Sequence, residues 1–343
     1  MKRMNESYTY TEIKTQPQAW QNALDVAWAA ASTIKALTDR YNQVLFSGCG
    51  STYYLSLAGA ALFQKMTGKN ARAVPGSELL FNTAAVVDQK SPCLLIAISR
   101  SGTTSETVKA VEQFKKARLG EVIVVSNYDA TLSTLADLNI IIPAGQEFSV
   151  AQTRSYASML VAVTTLCAIA AGRNELRSAM DELPGLGQQL MEKYESLAQE
   201  VGENLNYDRF YFLGSGARYG LASEVSLKMK EMTLTHSEPF YFHEFRHGPM
   251  SMVGESTVVV GLLSAENFAQ EQAVLDEMQA FGASILALSE SHADVEFHSA
   301  IPEEVSGVLY LPVLQLMAFH RSLAKGLNPD SPKHLSAVVT LNL

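Results

Sequence analysis

Two stretches about 170 residues apart are built to the same plan: "VLFSGCGSTYYLS" at 44–56 and "FYFLGSGARYGLA" at 210–222. Each is a short unbroken apolar run, then Gly-x-Gly, then small and polar residues that open an amphipathic segment. Apolar runs of this length without alternation read as strands buried on both faces, and such strands belong to parallel sheets covered by helices. The pattern recurs in "CLLIAISRSGTTSETVKAVEQF" and "EVIVVSNYDATLSTLA". It predicts an α/β fold of two doubly wound parallel-sheet domains related by duplication. The expected divisions are an N-terminal arm and helix at 1–25, a first domain at 26–185, a second at 186–330, and a tail at 331–343 that folds back as extended chain. The polar stretch "GLGQQLMEKYESLAQEVGENLNYD" predicts a helix joining the halves.

Composition narrows the partners. The residues are 47% hydrophobic and 18% charged, with a net charge of −9 and no Lys/Arg cluster. That argues against nucleic acid and against an anionic membrane surface. The apolar run "ASMLVAVTTLCAIAAG" falls short of the roughly 20 residues a membrane span needs. Cys49, Cys93 and Cys167 are odd in number and form no CxxC, which suits a reducing compartment. The opening segment has no apolar core, so no signal peptide is expected, and the predicted location is cytoplasmic.

Four stretches carry candidate chemistry. Gly48-Cys49-Gly50 follows a strand, but Tyr53 stands where a dinucleotide fingerprint needs its third glycine, and Gly214, Gly216 and Gly220 make only GxGxxxG. A tight strand-to-helix turn is the simpler reading. "SRSGTTSET" (99–107) gathers the hydroxyls of Ser99, Ser101, Thr103 and Thr104 at a helix N-terminus. Free N–H groups and the helix dipole attract anions there, and neutral donors without a Gly-Lys-Ser/Thr suit a phosphomonoester rather than a nucleotide. N-capping in a polar turn is the alternative. "ASEVSLKMKEM" (222–232) places Glu224, Lys228 and Glu231 on one helix face, either as a solvated ion-pair stripe or as a carboxylate base beside a cation. "HEFRHGPM" (243–250) contains His-Glu-x-x-His, but Pro239 and Gly248-Pro249 bracket it too closely for a zinc-binding helix. Neither a metal nor another cofactor is expected.

In order along the chain, "CGSTYY", "SRSGTTSET", "PAGQEFSVAQTRSYASM", "SEVSLKMKEMTLTHSE", "EFRHGPM" and "NPDSPKHLSAVVTL" resemble the sugar isomerase (SIS) family over nearly the whole chain. The resemblance is to the isomerase half of glucosamine-6-phosphate synthase and to stand-alone phosphosugar isomerases and deaminases. It implies two flavodoxin-like SIS domains, a phosphosugar substrate, and a homodimer in which His247 serves the partner's pocket. Ser51, Thr52, Ser99, Ser101 and Thr104 would then hold the sugar phosphate, with Val150 and Ala151 lining the sugar. Glu231 would shuttle a proton between C1 and C2, Lys228 would sit near the C1/C2 oxygens, and His247 would assist ring opening.

Three departures from the family pattern bear on the reaction. No glutaminase segment or N-terminal cysteine nucleophile is present, which favours a catabolic direction. Arg100 replaces a glutamine in the phosphate loop, where it would add charge or contact a particular substituent. Ala337 stands where many isomerising relatives have a lysine that opens the ring: either Lys333 or His334 compensates, or the substrate is already open or differently substituted, or the activity is reduced. The expected activity is an isomerising deaminase that converts glucosamine 6-phosphate to fructose 6-phosphate plus ammonia. The alternatives are a fructosamine-6-phosphate deglycase, an isomerase that keeps the nitrogen, and a non-catalytic sugar-phosphate sensor.

Overall fold

The structure, a computed structural model, describes residues 7–88 and 90–341. Residues 1–6 of the N-terminal arm and helix expected at 1–25 therefore lie outside the described residues. Among those described, the strands form two five-stranded sheets, every pairing parallel. The first contains β1 (Gln43–Gly48), β2 (Asn70–Pro75), β3 (Leu94–Ser99), β4 (Val122–Ser126) and β5 (Leu138–Ile141), in the order β2-β1-β3-β4-β5. The second contains β6 (Arg209–Leu213), β7 (His236–Phe240), β8 (Thr257–Leu262), β9 (Ser284–Ser289) and β10 (Val295–Glu296), in the order β10-β9-β8-β6-β7. Counted from its own first strand, each sheet has the order 2-1-3-4-5, so the duplication extends from the turns to the topology.

The apolar runs account for the central strands. β3, β4 and β8 are buried at every residue, as strands covered by helices on both faces must be. β2, at a sheet edge, is only partly buried, and it is correspondingly the least apolar of the first four. The long apolar run is the helix Arg154–Ala170, buried from Ser155 through Ala170 and packed against the helix Ser51–Thr67. Its apolar surface is thus spent inside the fold. No helix among the described residues is long and apolar enough to cross a membrane.

The chain divides into two compact units. The β1–β5 unit comprises residues 15–147, 154–184 and 336–341, and the β6–β10 unit comprises 7–14, 148–153 and 185–335. Residues 148–153 thus leave the first sheet's unit and pack with the second. The polar stretch near 190 forms the helix Leu183–Glu203. The tail differs from the extended chain expected of it: it runs through a turn at Lys333-His334 and a bend at Ala337-Val338 without strand pairing among the described residues. His334 has φ +62°, a left-handed conformation that turns the chain where a strand would have continued it.

Candidate functional site

In a doubly wound sheet, ligands bind beyond the carboxyl ends of the strands where the strand order reverses, here β1 and β3. Both turns at that point are shaped by glycine. A Cβ on Gly48 would come within 2.6 Å of the Thr52 backbone, and Gly50 has φ +58°. The duplicate turn repeats this: a Cβ on Gly214 would lie 2.5 Å from the Arg218 carbonyl oxygen, and Gly216 has φ +57°. Gly-x-Gly is therefore a device for turning from strand into helix.

Around the β1 turn, Ser51 and Thr52 are buried at the start of the helix Ser51–Thr67. The Thr52 hydroxyl accepts from the Cys49 N–H at 2.9 Å and lies 3.0 Å from the Cys49 carbonyl, so it also braces its own turn. After β3, Ser99 accepts from the Gly102 N–H at 3.2 Å, Ser101 accepts from the Thr103 N–H at 3.2 Å, and the Ser101 and Thr103 hydroxyls lie 3.1 Å apart. Thr104 is the residue before the helix Ser105–Lys116, and its side chain makes no capping hydrogen bond. The loop thus collects hydroxyls at a helix N-terminus, the position where an anion gains most from the unshared N–H groups.

Arg100 is turned elsewhere. It is 7% exposed, its Nη2 donates to the Ala337 carbonyl at 2.8 Å, and its Nη1 lies 3.9 Å from the Glu147 carboxylate. The carboxylate of Glu147 sits in the same unit and also accepts from the Ser155 hydroxyl. Part of the charge Arg100 would bring to a phosphate is therefore already offset.

The duplicate turn has a different chemistry. Arg218 occupies the position of Thr52, and it pairs with Glu303 and, at 3.5 Å, with Glu271. The Glu271 carboxylate accepts the Ser264 N–H at 2.6 Å, just beyond β8. Burial pushes the Glu271 pKa up, against the pull of Arg218. The Glu271 carboxylate thus occupies an N–H of the loop after β8, whereas the loop after β3 presents hydroxyls at the corresponding place.

The helix Ala217–Thr233 brings Glu224, Lys228 and Glu231 together. The Lys228 ammonium lies 2.5 Å from Glu231 and 3.3 Å from Glu224. Glu224 and Lys228 are each 1% exposed, while the Glu231 side chain is 19% exposed, so the solvated-stripe reading does not hold. Burial works against charge on Lys228, but the two carboxylates outweigh it and its pKa is raised. Glu231 borders a cavity of about 350 Å³, lined also by Leu327, Asn328, Ser331 and Lys333. A partly open carboxylate held against a buried ammonium is suited to taking a proton beside a developing oxyanion.

Val150 and Ala151 belong to the same unit as Glu231. Two acids that sequence reading passed over hold them in place. The buried Glu12 accepts from the Phe148 N–H at 2.6 Å, the Ser149 N–H at 3.3 Å and the Ser149 hydroxyl. Asp330 accepts from the Ser7 hydroxyl at 2.6 Å and from the Thr9 N–H and hydroxyl at 2.8 Å, and its backbone carbonyl takes the Val150 N–H at 3.0 Å. Asp330 thereby caps the N-terminal helix and seats the 148–151 loop. Nothing in the residues around Glu12, Asp330 or Glu147 marks them, because their partners lie far away in the chain.

Burial raises the Asp330 pKa, but the bonds from Ser7 and Thr9 outweigh it and hold the carboxyl below its ordinary value of 3.8. Its stabilisation is therefore full above the unfolded-state pKa and is lost as pH falls through the folded-state pKa. Asp330→Asn is expected to cost about 1.5–3 kcal/mol at neutral pH, the worth of hydrogen bonds to a charged group. It should also flatten the acid limb of stability. Urea denaturation at pH 7 and at pH 3 measures both, and an unchanged acid limb would count against the assignment.

His247 lies beyond the short helix Phe242–Phe245, on an exposed turn before Gly248. His243 is on the helix and His247 is outside it, so the two imidazoles do not share one helical face. Among the described residues, no three His, Cys, Asp or Glu side chains are grouped as metal ligands.

A duplicated 2-1-3-4-5 sheet, entered each time through a Gly-x-Gly turn, defines a doubly wound α/β protein. The chain belongs to the SIS domain family, whose model matches residues 37–169 and 205–324. It is 31% identical, over 98% of its length, to the glutamine–fructose-6-phosphate aminotransferase (isomerizing) of Pyrococcus horikoshii, and covers 58% of that protein. The chain thus spans a little over half the length of the curated relatives it matches. Among solved structures it resembles a glucosamine-6-phosphate deaminase from Thermotoga maritima, with TM-score 0.82, 25% identity, and coverage of 98% of this chain and 100% of the other. It shares its fold with a tagatose-6-phosphate ketose/aldose isomerase from Escherichia coli, at TM-score 0.85, 22% identity, and coverage of 99% and 97%.

Proposed function

We propose that the protein is a cytoplasmic phosphosugar aldose–ketose isomerase of the deaminating kind, converting glucosamine 6-phosphate and water to fructose 6-phosphate and ammonia. The observation that carries this reading is the Glu231–Lys228 pair, a partly open carboxylate against a buried ammonium beside a cavity. The hydroxyls of Ser51, Thr52, Ser99, Ser101 and Thr104 are assigned to the phosphate, for which neutral donors at a helix N-terminus are suited. Val150 and Ala151 line the sugar. His247, offered by the second subunit of a homodimer, assists ring opening.

In the open-chain aldehyde, Glu231 removes the proton from C2, and the electrons move to the C1 oxygen as an enolamine. Lys228 stabilises that oxygen. Glu231 returns the proton to C1, and the nitrogen on C2 gives up a proton to the C1 oxygen, leaving a C1 hydroxyl and an imine at C2. Water adds at C2 and ammonia departs, giving the ketose. A deglycase acting on fructosamine 6-phosphates is a second reading. It is favoured by Ala337, which presents no ammonium for ring opening where the family pattern has lysine.

Purified protein is expected to release equal amounts of ammonia and fructose 6-phosphate from glucosamine 6-phosphate, with the rate unaffected by a chelator. Absence of ammonia at saturating substrate would sink the deaminase reading, and turnover of a fructosamine 6-phosphate would then establish the second.

A further inference from the structure

The two departures within the SIS pattern, Arg100 and Ala337, meet in a single contact. The Nη2 of Arg100 donates to the Ala337 carbonyl at 2.8 Å, and the Nη1 faces the buried Glu147 carboxylate at 3.9 Å. Two further bonds continue the contact. The Ser105 N–H, at the first position of its helix, donates to the Val339 carbonyl at 3.4 Å, and the Leu341 N–H donates to the Ser105 hydroxyl at 3.1 Å. All of these residues belong to the β1–β5 unit. The tail thus lies along the phosphate loop and takes one of the N–H groups at the helix start.

We propose that Arg100 is a positioning residue: braced by Glu147, it clasps the Ala337 carbonyl and seats the 336–341 tail on the 99–105 loop, rather than binding the phosphate. The planar guanidinium suits this task because its forked donors reach a carbonyl and a carboxylate at once, which neither glutamine nor lysine can do in the same geometry. The clasp takes the backbone carbonyl of Ala337 and so makes no demand on the side chain there. The inference rests on the phosphate-loop assignment in the proposed function, but not on whether nitrogen is released.

Hydrogen exchange on the full chain tests the clasp without reference to turnover. Arg100→Gln, Arg100→Lys and Glu147→Gln are each expected to speed exchange of the Leu341 and Ser105 amides about tenfold or more, the loss of one charge-assisted bond. Glu147→Gln keeps Arg100 itself and guards against a misfolded Arg100 variant. Calorimetric affinity for inorganic phosphate should change less than about threefold in Arg100→Gln, less than the loss of a charge-assisted bond to phosphate would produce. Unchanged exchange in Arg100→Gln would overturn the proposal. So would a loss of phosphate affinity in Arg100→Gln that Arg100→Lys restores, since that pattern marks a direct phosphate ligand. Failure of the deaminase reading would appear only in the ammonia assay and leave both readouts intact.

Discussion

Glu231→Gln is expected to lower kcat for glucosamine 6-phosphate by about 10²–10⁴-fold, the usual contribution of a positioned general base, under the activity proposed above. The expectation follows from geometry. Glutamine keeps the shape and still accepts a hydrogen bond from Lys228, but it cannot take a proton from carbon. Because the Glu231 side chain is the most open of the three, and Glu224 remains beside Lys228, the variant should fold with little loss of stability. KM should move little, since phosphate recognition is assigned to other residues. Steady-state kinetics with a denaturation curve on the same sample check both parts. A variant with more than about a tenth of wild-type kcat would remove Glu231 from the proton-transfer role, being well short of what loss of a general base costs.

Lys228→Met is expected to cost about 3–5 kcal/mol of stability as well as activity, because it leaves the Glu224 carboxylate buried without its cation. Glu224 and Lys228 are each 1% exposed, so water cannot take over the lost interaction. Pairing the change with Glu224→Gln should recover most of the cost, since removing both charges of a buried pair is far less damaging than removing one. The raised pKa of Lys228 fixes the sign of the pH dependence. Its stabilisation is full below the ordinary lysine value of 10.5 and fades as pH rises through the higher folded-state value. Urea denaturation of the single and double variants decides the matter. A single-variant cost under about 1 kcal/mol would mean that the triad behaves as a surface ion pair.

Much of the fold was legible because its signals are local. A buried parallel strand announces itself within six residues, and the Gly-x-Gly turns recur because Gly48 and Gly214 each pack against the following helix turn. The face shared by Glu224, Lys228 and Glu231 could be read for the same reason, since helical periodicity is a short-range property. Periodicity gives no information on what that face packs against. In this chain it decides between a solvated stripe and a buried ion triad, and the structure shows the triad.

Long-range contacts lay beyond sequence reading. Arg100 stood in the phosphate phrase, and nothing in that phrase could show its guanidinium reaching a carbonyl 237 positions later. Asp330 meets Ser7 across 323 positions, and residues 148–153 pack with the second sheet although they follow the first. The His243–His247 spacing carried the opposite ambiguity: the number of residues was right for zinc, and the end of a short helix removed the shared face.

The sequence by itself determined the duplicated α/β plan, the glycine-shaped turns, the gathering of hydroxyls at 99–104 and the spacing of Glu224, Lys228 and Glu231 on one face. Those properties depend on residues within a few positions of one another. Only the tertiary structure decided that Lys228 and Glu224 are buried, that Glu271 takes an N–H beyond β8, and that the Arg100 guanidinium reaches the Ala337 carbonyl. Burial and partner choice are set by chain segments that meet only when the sheets form, and no local pattern encodes them.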